Sequence, residues 1–317
     1  MSKTQEKRHK IFNIYSKQLH SLVDNGLSDI QLKFEKTYIC PICYNQFSEA
    51  DLDTSKESFL TLEDAPPKSL GGKANTLTCN KCNNEFGHTI DFHLAEYINE
   101  ADIHAFLPNT GSRVKMTHKG IRVQGIVNVD ADGKITITHI EKINNPKVLK
   151  DYVAKTGKDD IADLEFPASR VEFKKFEIAL LKTAYILAFE KFGYPLILSK
   201  AFDIVRDQLR NPEKNIYSTG FWSRQSVFNK SIAGVLLIIT PGFEGFQAIF
   251  VLATGASESG YGVYLPISYK TAISTIENFK KQEAGFGLKY ESYQESDYFN
   301  DESNQKMCVA FMNKHNK

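Results

Sequence analysis

Two C-x2-C pairs, CPIC at Cys40 to Cys43 and CNKC at Cys79 to Cys82, constrain this chain more than any other feature. A C-x2-C hairpin presents two sulfurs at metal-ligand separation, and two such pairs supply the four thiolates of a closed tetrahedral zinc site. The segment that carries them is weakly hydrophobic. Metal binding supplies the folding free energy that so small a core cannot. Structural Zn2+ on Cys40, Cys43, Cys79 and Cys82 is therefore expected. Cys308 stands alone and reads as a buried or incidental thiol. A plain zinc ribbon separates its pairs by about 15–20 residues. Here 35 residues, Tyr44 to Thr78, lie between the pairs, so the staple encloses something.

The enclosed segment contains LEDAPPKSLGG, Leu62–Gly72. Adjacent strand residues point to opposite sides of the pleat, so Glu63 and Asp64 are expected to serve two different surroundings. Pro66-Pro67 stops the strand. Gly71-Gly72 allows a tight turn at which backbone can approach a phosphate. Lys68 and Lys73 flank that turn as candidate phosphate contacts.

The run C-P-I-C … L-T-L-E-D-A-P-P-K-S-L-G-G … N-T-L-T-C-N-K-C-N-N-E-F-G-H-T-I-D-F-H-L resembles the zinc-stapled HNH endonucleases. More narrowly it is similar to the subgroup reading E-H-x-x-P-x-x-x-G-G and then C-x-x-C-N-x-x-x-G-x-x-I-D. The resemblance covers Cys40–Leu94, and the rest of the chain resembles no domain of nameable function. It implies a ββα finger around one catalytic divalent cation, Mg2+ or Mn2+. By position, Glu63 would be the acidic ligand at the end of the first strand. Asn75 would hold the loop between strand and helix, and Asn83, exchangeable with Asn84, would be the ligand at the helix start. A hard cation on oxygen ligands stabilises the charge that builds up when a phosphodiester is hydrolysed.

One position departs from the pattern. Where the subgroup has a histidine base, this chain has Asp64. A free Asp titrates near about 3.9, which makes it a weaker base than imidazole at neutral pH, although crowding by Glu63 raises it. Three roles stay open: Asp64 as the base, Asp64 as a further metal ligand, or an inert site. His88 is either a substitute base or a solvated helix residue. His93 reads as structural, and Asp91 as a helix-surface or loop-capping carboxylate.

The expected fold class is α+β. A helical segment spans 1–37, with helix over 4–35 broken at Asn25-Gly26. A zinc-stapled ββα-metal (HNH) module spans 38–100, with strands at Ser58–Glu63 and Thr76–Cys79 and a helix from Cys82 to about Tyr97. A small β-rich segment spans 101–150, with Asp132-Gly133 as a hairpin turn, and polar Lys150–Asp163 reads as a linker. A mixed α+β domain, for targeting or regulation, spans 165–317. In it, Val171–Gly193 reads as an amphipathic helix and residues 198–210 as another. SIAGVLLIIT, FQAIFVLATG and YGVYLPI read as buried strands, Tyr269–Lys281 as a polar helix, and the end as a Tyr- and Asp-rich tail.

The chain has 317 residues, 42% hydrophobic and 24% charged, which excludes wholesale disorder. Residues 1–100 carry 11 Lys and Arg against 14 Asp and Glu, and the remainder 28 against 24. Any grip on nucleic acid is therefore expected from the later part. Arg113, Lys115, Lys119 and Arg122 alternate along one strand pair, either to track phosphates or as a solvated sheet face. Arg206, Arg210, Trp222 and Arg224 are a further recognition surface or core. The start, MSKTQEKRHK, has no apolar stretch behind it, and Ile178–Phe189 is too short for a membrane span. A cytoplasmic protein with no membrane partner is expected.

The expected function is Mg2+- or Mn2+-dependent endonucleolytic hydrolysis of DNA phosphodiester bonds, RNA not excluded, in a prokaryotic restriction, mobile-element or phage-defence setting. A homodimer or a defence-system protein is the expected partner. The alternative is a degenerate HNH module that binds nucleic acid or a partner protein without cleavage.

Overall fold

A Ser2–Gln5 capping box starts helix α1, Lys3–Asp24, whose side chains Ile11, Phe12, Tyr15, Leu19 and Leu22 are buried along one face. The computed structural model describes residues 2–157, 160–225, 229–282, 287–293 and 295–316. α1 ends at Asn25, one residue before Gly26, and the chain beyond is irregular rather than helical as far as 37. Two-residue strands β1 (Tyr38–Ile39) and β2 (Gln46–Phe47) pair antiparallel around the first cysteine pair. Strands β3 (Leu60–Ala65) and β4 (Lys73–Cys79) form an antiparallel hairpin whose register shifts between Glu63 and Asp64.

Helix α2 (Asn80–Phe86) follows at once, then a π-helical stretch (Gly87–Asp91), then α3 (Phe92–His104). The helix expected over Cys82–Tyr97 thus starts earlier, ends later and is widened in the middle. π-bulges of this kind often sit at functional positions.

Strands β5 (Thr110–His118), β6 (Ile121–Val129) and β7 (Ile135–His139) come next, then helix α4 (Pro146–Lys155) and strand β8 (Asp163–Glu165). The segment read as a linker is in part α4, capped by Asn145, and its Tyr152 is buried. Helices α5 (Phe173–Phe192), α6 (Tyr194–Ile197) and α7 (Asp203–Arg210) lead to strands β9 (Trp222–Gln225), β10 (Gly234–Ile238), β11 (Gly245–Ala253) and β12 (Glu258–Pro266). Helix α8 (Ala272–Lys280), strand β13 (Tyr290–Ser292) and helix α9 (Glu302–His315) complete the chain. α9 takes up part of what reads as a polar tail. It buries Gln305, Cys308 and Met312 and is capped by Asp301.

The chain divides into two units along lines that cut across the sequence segments. One comprises 1–95, 172–252 and 258–317; the other comprises 96–171 with 253–257. In the larger unit a five-stranded sheet runs β13-β10-β11-β12-β9. α5 is its central helix. It reads as amphipathic, yet it is buried on nearly every side, from Phe176 to Phe192, with Glu177 and Lys182 included. Gly193 ends it at φ 68°, where a Cβ would also meet Gln18 Oε1 at 2.0 Å. Tyr15, Tyr38, Phe189 and Tyr194 pack with Phe12 and Phe299, mostly tilted or edge to face, into one aromatic core. The smaller unit is a four-stranded sheet, β7-β6-β5-β8, with Val114, Met116, Val123, Val127 and Tyr152 as its core.

Candidate functional site

The β1–β2 knuckle presents Cys40 and Cys43, the end of β4 presents Cys79, and the first turn of α2 presents Cys82. Their four Sγ atoms all lie within 4.8 Å of one another. The Cys43–Cys79 pair is 3.7 Å apart, close to the roughly 3.8 Å that a tetrahedral site with metal–sulfur bonds of about 2.3 Å requires. Backbone N–H groups of Cys79 and Cys82 donate to the sulfurs of Cys40 and Cys79. Burial pushes the Cys40 thiol up, while contacts from neighbouring thiols pull Cys43 down. Four thiols this close cannot ionise independently, and a soft divalent cation satisfies all of them together. The donor set fits a thiolate-bound metal.

The knuckle is bound to the helices of the same unit. Tyr194 Oη accepts from the Ile39 N–H and donates to its carbonyl, at 2.8 and 2.9 Å. Tyr185 donates to the Pro41 carbonyl, and Arg210 to that of Ile42. Tyr44, at φ 63°, donates to Ile197 O, and the Arg206 guanidinium lies 4.1 Å over its ring. Arg206 is thus a buried strut of the knuckle, and Arg210 braces it from an exposed position. Trp222 packs on Phe173, Phe176 and Tyr261 and donates to Glu177.

Glu63 and Asp64 face different surroundings, as neighbours in a strand must. Glu63 is buried at 3% exposure, and Asp64 is half-buried. Both Glu63 oxygens are taken. Oε2 accepts from Thr78 Oγ1 at 2.7 Å and from Asn83 Nδ2 at 3.1 Å, and Oε1 lies 2.6 Å from Lys182 Nζ. Lys182 comes from the middle of α5 and is 2.6 Å from Asp91 Oδ2 as well. Asp91 ends the π-helical stretch. It is not a surface or loop-capping carboxylate but the second anion of a buried Glu63–Lys182–Asp91 cluster. The Phe86 ring lies 5.7 Å from the same ammonium.

The electrostatics follow from that geometry. Burial works against the Lys182 charge, but Glu63 and Asp91 outweigh it and hold the ammonium above its ordinary range. Burial raises the Asp91 carboxyl despite the pull of Lys182, and Asp91 Oδ1 is buried without a hydrogen-bond partner. Thr76 Oγ1, across the hairpin from Glu63, is also buried and unpartnered. Burial, and then the charge of Glu63, raise Asp64; Lys68 and Lys7 oppose them.

A divalent cation fits the Glu63 position poorly. Lys182 is covalently part of α5 and already stands against the oxygen atoms such a cation would need. Asn83 turns its NH2 group toward Glu63 and toward the Leu62 carbonyl, at 3.1 and 3.0 Å.

The other candidate residues are spread out. Asn75 lies at the shifted register of β4 and donates to Glu190 Oε1 of α5 at 2.7 Å. His88 and Asn84 are exposed on the helical run and, among the described residues, contribute no contact to Glu63. His93 is buried and accepts from the Glu172 N–H through Nδ1, which ties down the start of α5. Lys68 and Lys73 are exposed on the turn. Gly72 is needed there because a Cβ would collide with Pro66 O at 1.5 Å, so the close approach is to the chain's own carbonyl. Arg113, Lys115, Lys119 and Arg122 lie in the smaller unit. Lys115 and Arg122 pair with Glu165, and Lys119 with Asp160. Arg113 is exposed.

Comparison with protein-family models, curated proteins and solved structures finds no match. No helix among the described residues is long and apolar enough to cross a membrane.

Proposed function

We propose that this chain is a zinc-stapled, HNH-like finger that binds nucleic acid without hydrolysing it. Zn2+ on Cys40, Cys43, Cys79 and Cys82 fixes the β3–β4 hairpin against α2. The observation that carries the reading is the position of Lys182, 2.6 Å from both Glu63 and Asp91. An ammonium balances buried carboxylates as a metal does, but as a compact monovalent charge it leaves no coordination position for a water or a phosphate oxygen. The finger keeps its shape and loses the Lewis acid. The resemblance of Cys40–Leu94 to the HNH endonucleases makes nucleic acid the expected ligand.

A second reading, the metal-dependent endonuclease, has one observation in its favour. Asp64 is half-exposed, and its carboxyl is raised toward the range of a general base by burial and by Glu63.

Incubating the zinc-loaded chain with supercoiled plasmid and Mg2+ or Mn2+, beside a labelled-oligonucleotide binding assay, separates the readings. Binding that weakens with salt, and no nicking with either metal, is expected. Nicking that disappears in Glu63→Ala would instead establish the hydrolase. Absence of both nicking and binding would overturn the nucleic-acid reading altogether.

A further inference from the structure

Beside the LEDAPPKSLGG turn lies a cleft of about 800 Å³, within the volume range of nucleotide-sized ligand sites. It belongs wholly to the larger unit. Ala65, Pro66, Gly71, Lys73 and Asn75 of the hairpin form one wall, and Glu190 and Lys191 from the end of α5 form another. Its lining also includes the apolar and aromatic residues Val235, Ile249, Phe250, Tyr298 and Phe299. None of its polar residues is explained by the zinc site or by the Lys182 cluster.

Three features of this cleft match one ligand chemistry. Phe299 is part-exposed and offers a ring on which a planar base can stack, a contact that every base can make, while Phe250 and Tyr298 are buried at 4% and 6% exposure. The Asn75–Glu190 pair puts an amide and a carboxyl side by side, joined by the 2.7 Å bond from Asn75 Nδ2 to Glu190 Oε1. Among the described residues, this leaves Asn75 Oδ1 and Glu190 Oε2 to meet the hydrogen-bonding edge of a base. Lys73 is exposed, and Lys191 donates to Ser296 O at 3.1 Å with its ammonium 5.7 Å from the centre of the Tyr298 ring. Lys230 also lines the cleft but is paired with Glu258, and Asp297 adds one negative charge. The cationic side is therefore the Lys73–Lys191 side.

We propose that this cleft seats one nucleotide of a single strand. The base lies on Phe299 against Asn75 and Glu190, and the phosphate lies between Lys73 and Lys191. The assignment rests on the nucleic-acid reading above and makes it specific, because the grip moves from the metal finger to the groove beside it. The bulge at Glu63 and Asp64 then has a consequence. By shifting the register it sets Asn75 opposite no residue of β3, which leaves its side chain to the pair with Glu190.

The test uses the full zinc-loaded chain, a 5′-labelled twelve-residue oligothymidylate read by anisotropy, and thymidine monophosphate as competitor. Lys73→Glu alters an exposed side chain, Asn75→Leu removes the amide, and Lys81→Glu, exposed on α2, is the charge control. Lys73→Glu is expected to weaken binding about tenfold and to lower the salt slope by about one, while Lys81→Glu leaves both unchanged. Asn75→Leu is expected to weaken the oligonucleotide and the mononucleotide alike. If the oligonucleotide binds wild type and both cleft variants equally, the cleft assignment is wrong and the nucleic-acid reading survives. If it binds none of them, both fall. If the variants weaken the oligonucleotide but the mononucleotide never competes, the seat holds only phosphate and the base pocket is refuted.

Discussion

The larger unit contains two buried clusters of anionic ligands a few residues apart in sequence, one of sulfur and one of oxygen, and they balance their charge in opposite ways. Cys40, Cys43, Cys79 and Cys82 bring four thiols together with no cation of their own. Glu63 and Asp91 bring two carboxylates together around Lys182. The first could hold an ion from solution, and its stability would then depend on metal supply. The second carries its ion on a tether and is independent of supply, but it gives up the open coordination positions that metal chemistry requires. A β-hairpin followed by a helix, as in β3–β4–α2, thus says little about chemistry until the source of the positive charge is known.

The largest effect expected from this comparison lies on the sulfur side. A structural thiolate–zinc site contributes on the order of 10 kcal/mol to folding in small zinc modules. Purified chain should contain about one zinc, read by elemental analysis, and Cys82→Ser should lose it. Loss should release the knuckle and hairpin, read as hydrogen exchange rising across 38–86. A metal-free chain that kept its protection there would show that Tyr185, Tyr194 and Arg210 hold the knuckle unaided, and the contrast would disappear.

The next effect belongs to the oxygen side. Removing one partner of a buried ion pair costs about 3–5 kcal/mol, because the remaining charge stays buried. Lys182→Met should lose that much in urea unfolding. Adding Mn2+ should then raise the melting temperature of Lys182→Met while leaving wild type unmoved, with the ion held by Glu63 and Asp91 in place of the ammonium. An equal Mn2+ response in both proteins would mean that Lys182 does not occupy the cation's position.

What could be read in advance follows the range of the interactions. The cysteine pairs, the opposite facing of Glu63 and Asp64 and the break at Asn25-Gly26 are local, and the spacing of residues displays them directly. The inner strands β10, β11 and β12 of the C-terminal sheet appear as apolar runs for the same reason, whereas the edge strands β9 and β13 are short and largely exposed and leave no such run. The partner of Glu63 does not, because it sits on α5, far downstream. The one trace it leaves is a lysine in the apolar run Ile178–Phe189. A buried charge must be paired, so Lys182 announces that an acidic partner exists without saying which. Asp91 misleads in the converse way, since T-I-D looks like a solvated helix edge until α5 packs over it. The Asn75–Glu190 pair is likewise invisible locally. α9 and α4 go unread because each buries few apolar residues.

The smallest effect isolates one carboxylate of the oxygen cluster. Burial raises Asp91 above its ordinary range even with Lys182 beside it, so the folded chain holds that proton more tightly than the unfolded chain does. The stability this proton confers is fully present below about 4, the unfolded value. It is lost as pH rises through the folded value. The Asp91 contribution should therefore fall across that window, and urea titrations of Asp91→Asn minus wild type should show that fall removed. Asp64 and Glu190 are raised too, by burial above all, and contribute in the same direction. Glu49, Asp51, Asp53, Asp160, Glu165, Glu172, Glu277 and Asp297 are lowered and contribute in the opposite one, so the informative quantity is the difference between variant and wild type. Asn keeps the size of Asp91 and still offers an oxygen to Lys182, which confines the change to charge. The variant should therefore lose far less than Lys182→Met at neutral pH, because Lys182 keeps Glu63. A slope that steepened instead would mean that Asp91 is ionised throughout, and that Lys182 is shared by two full negative charges.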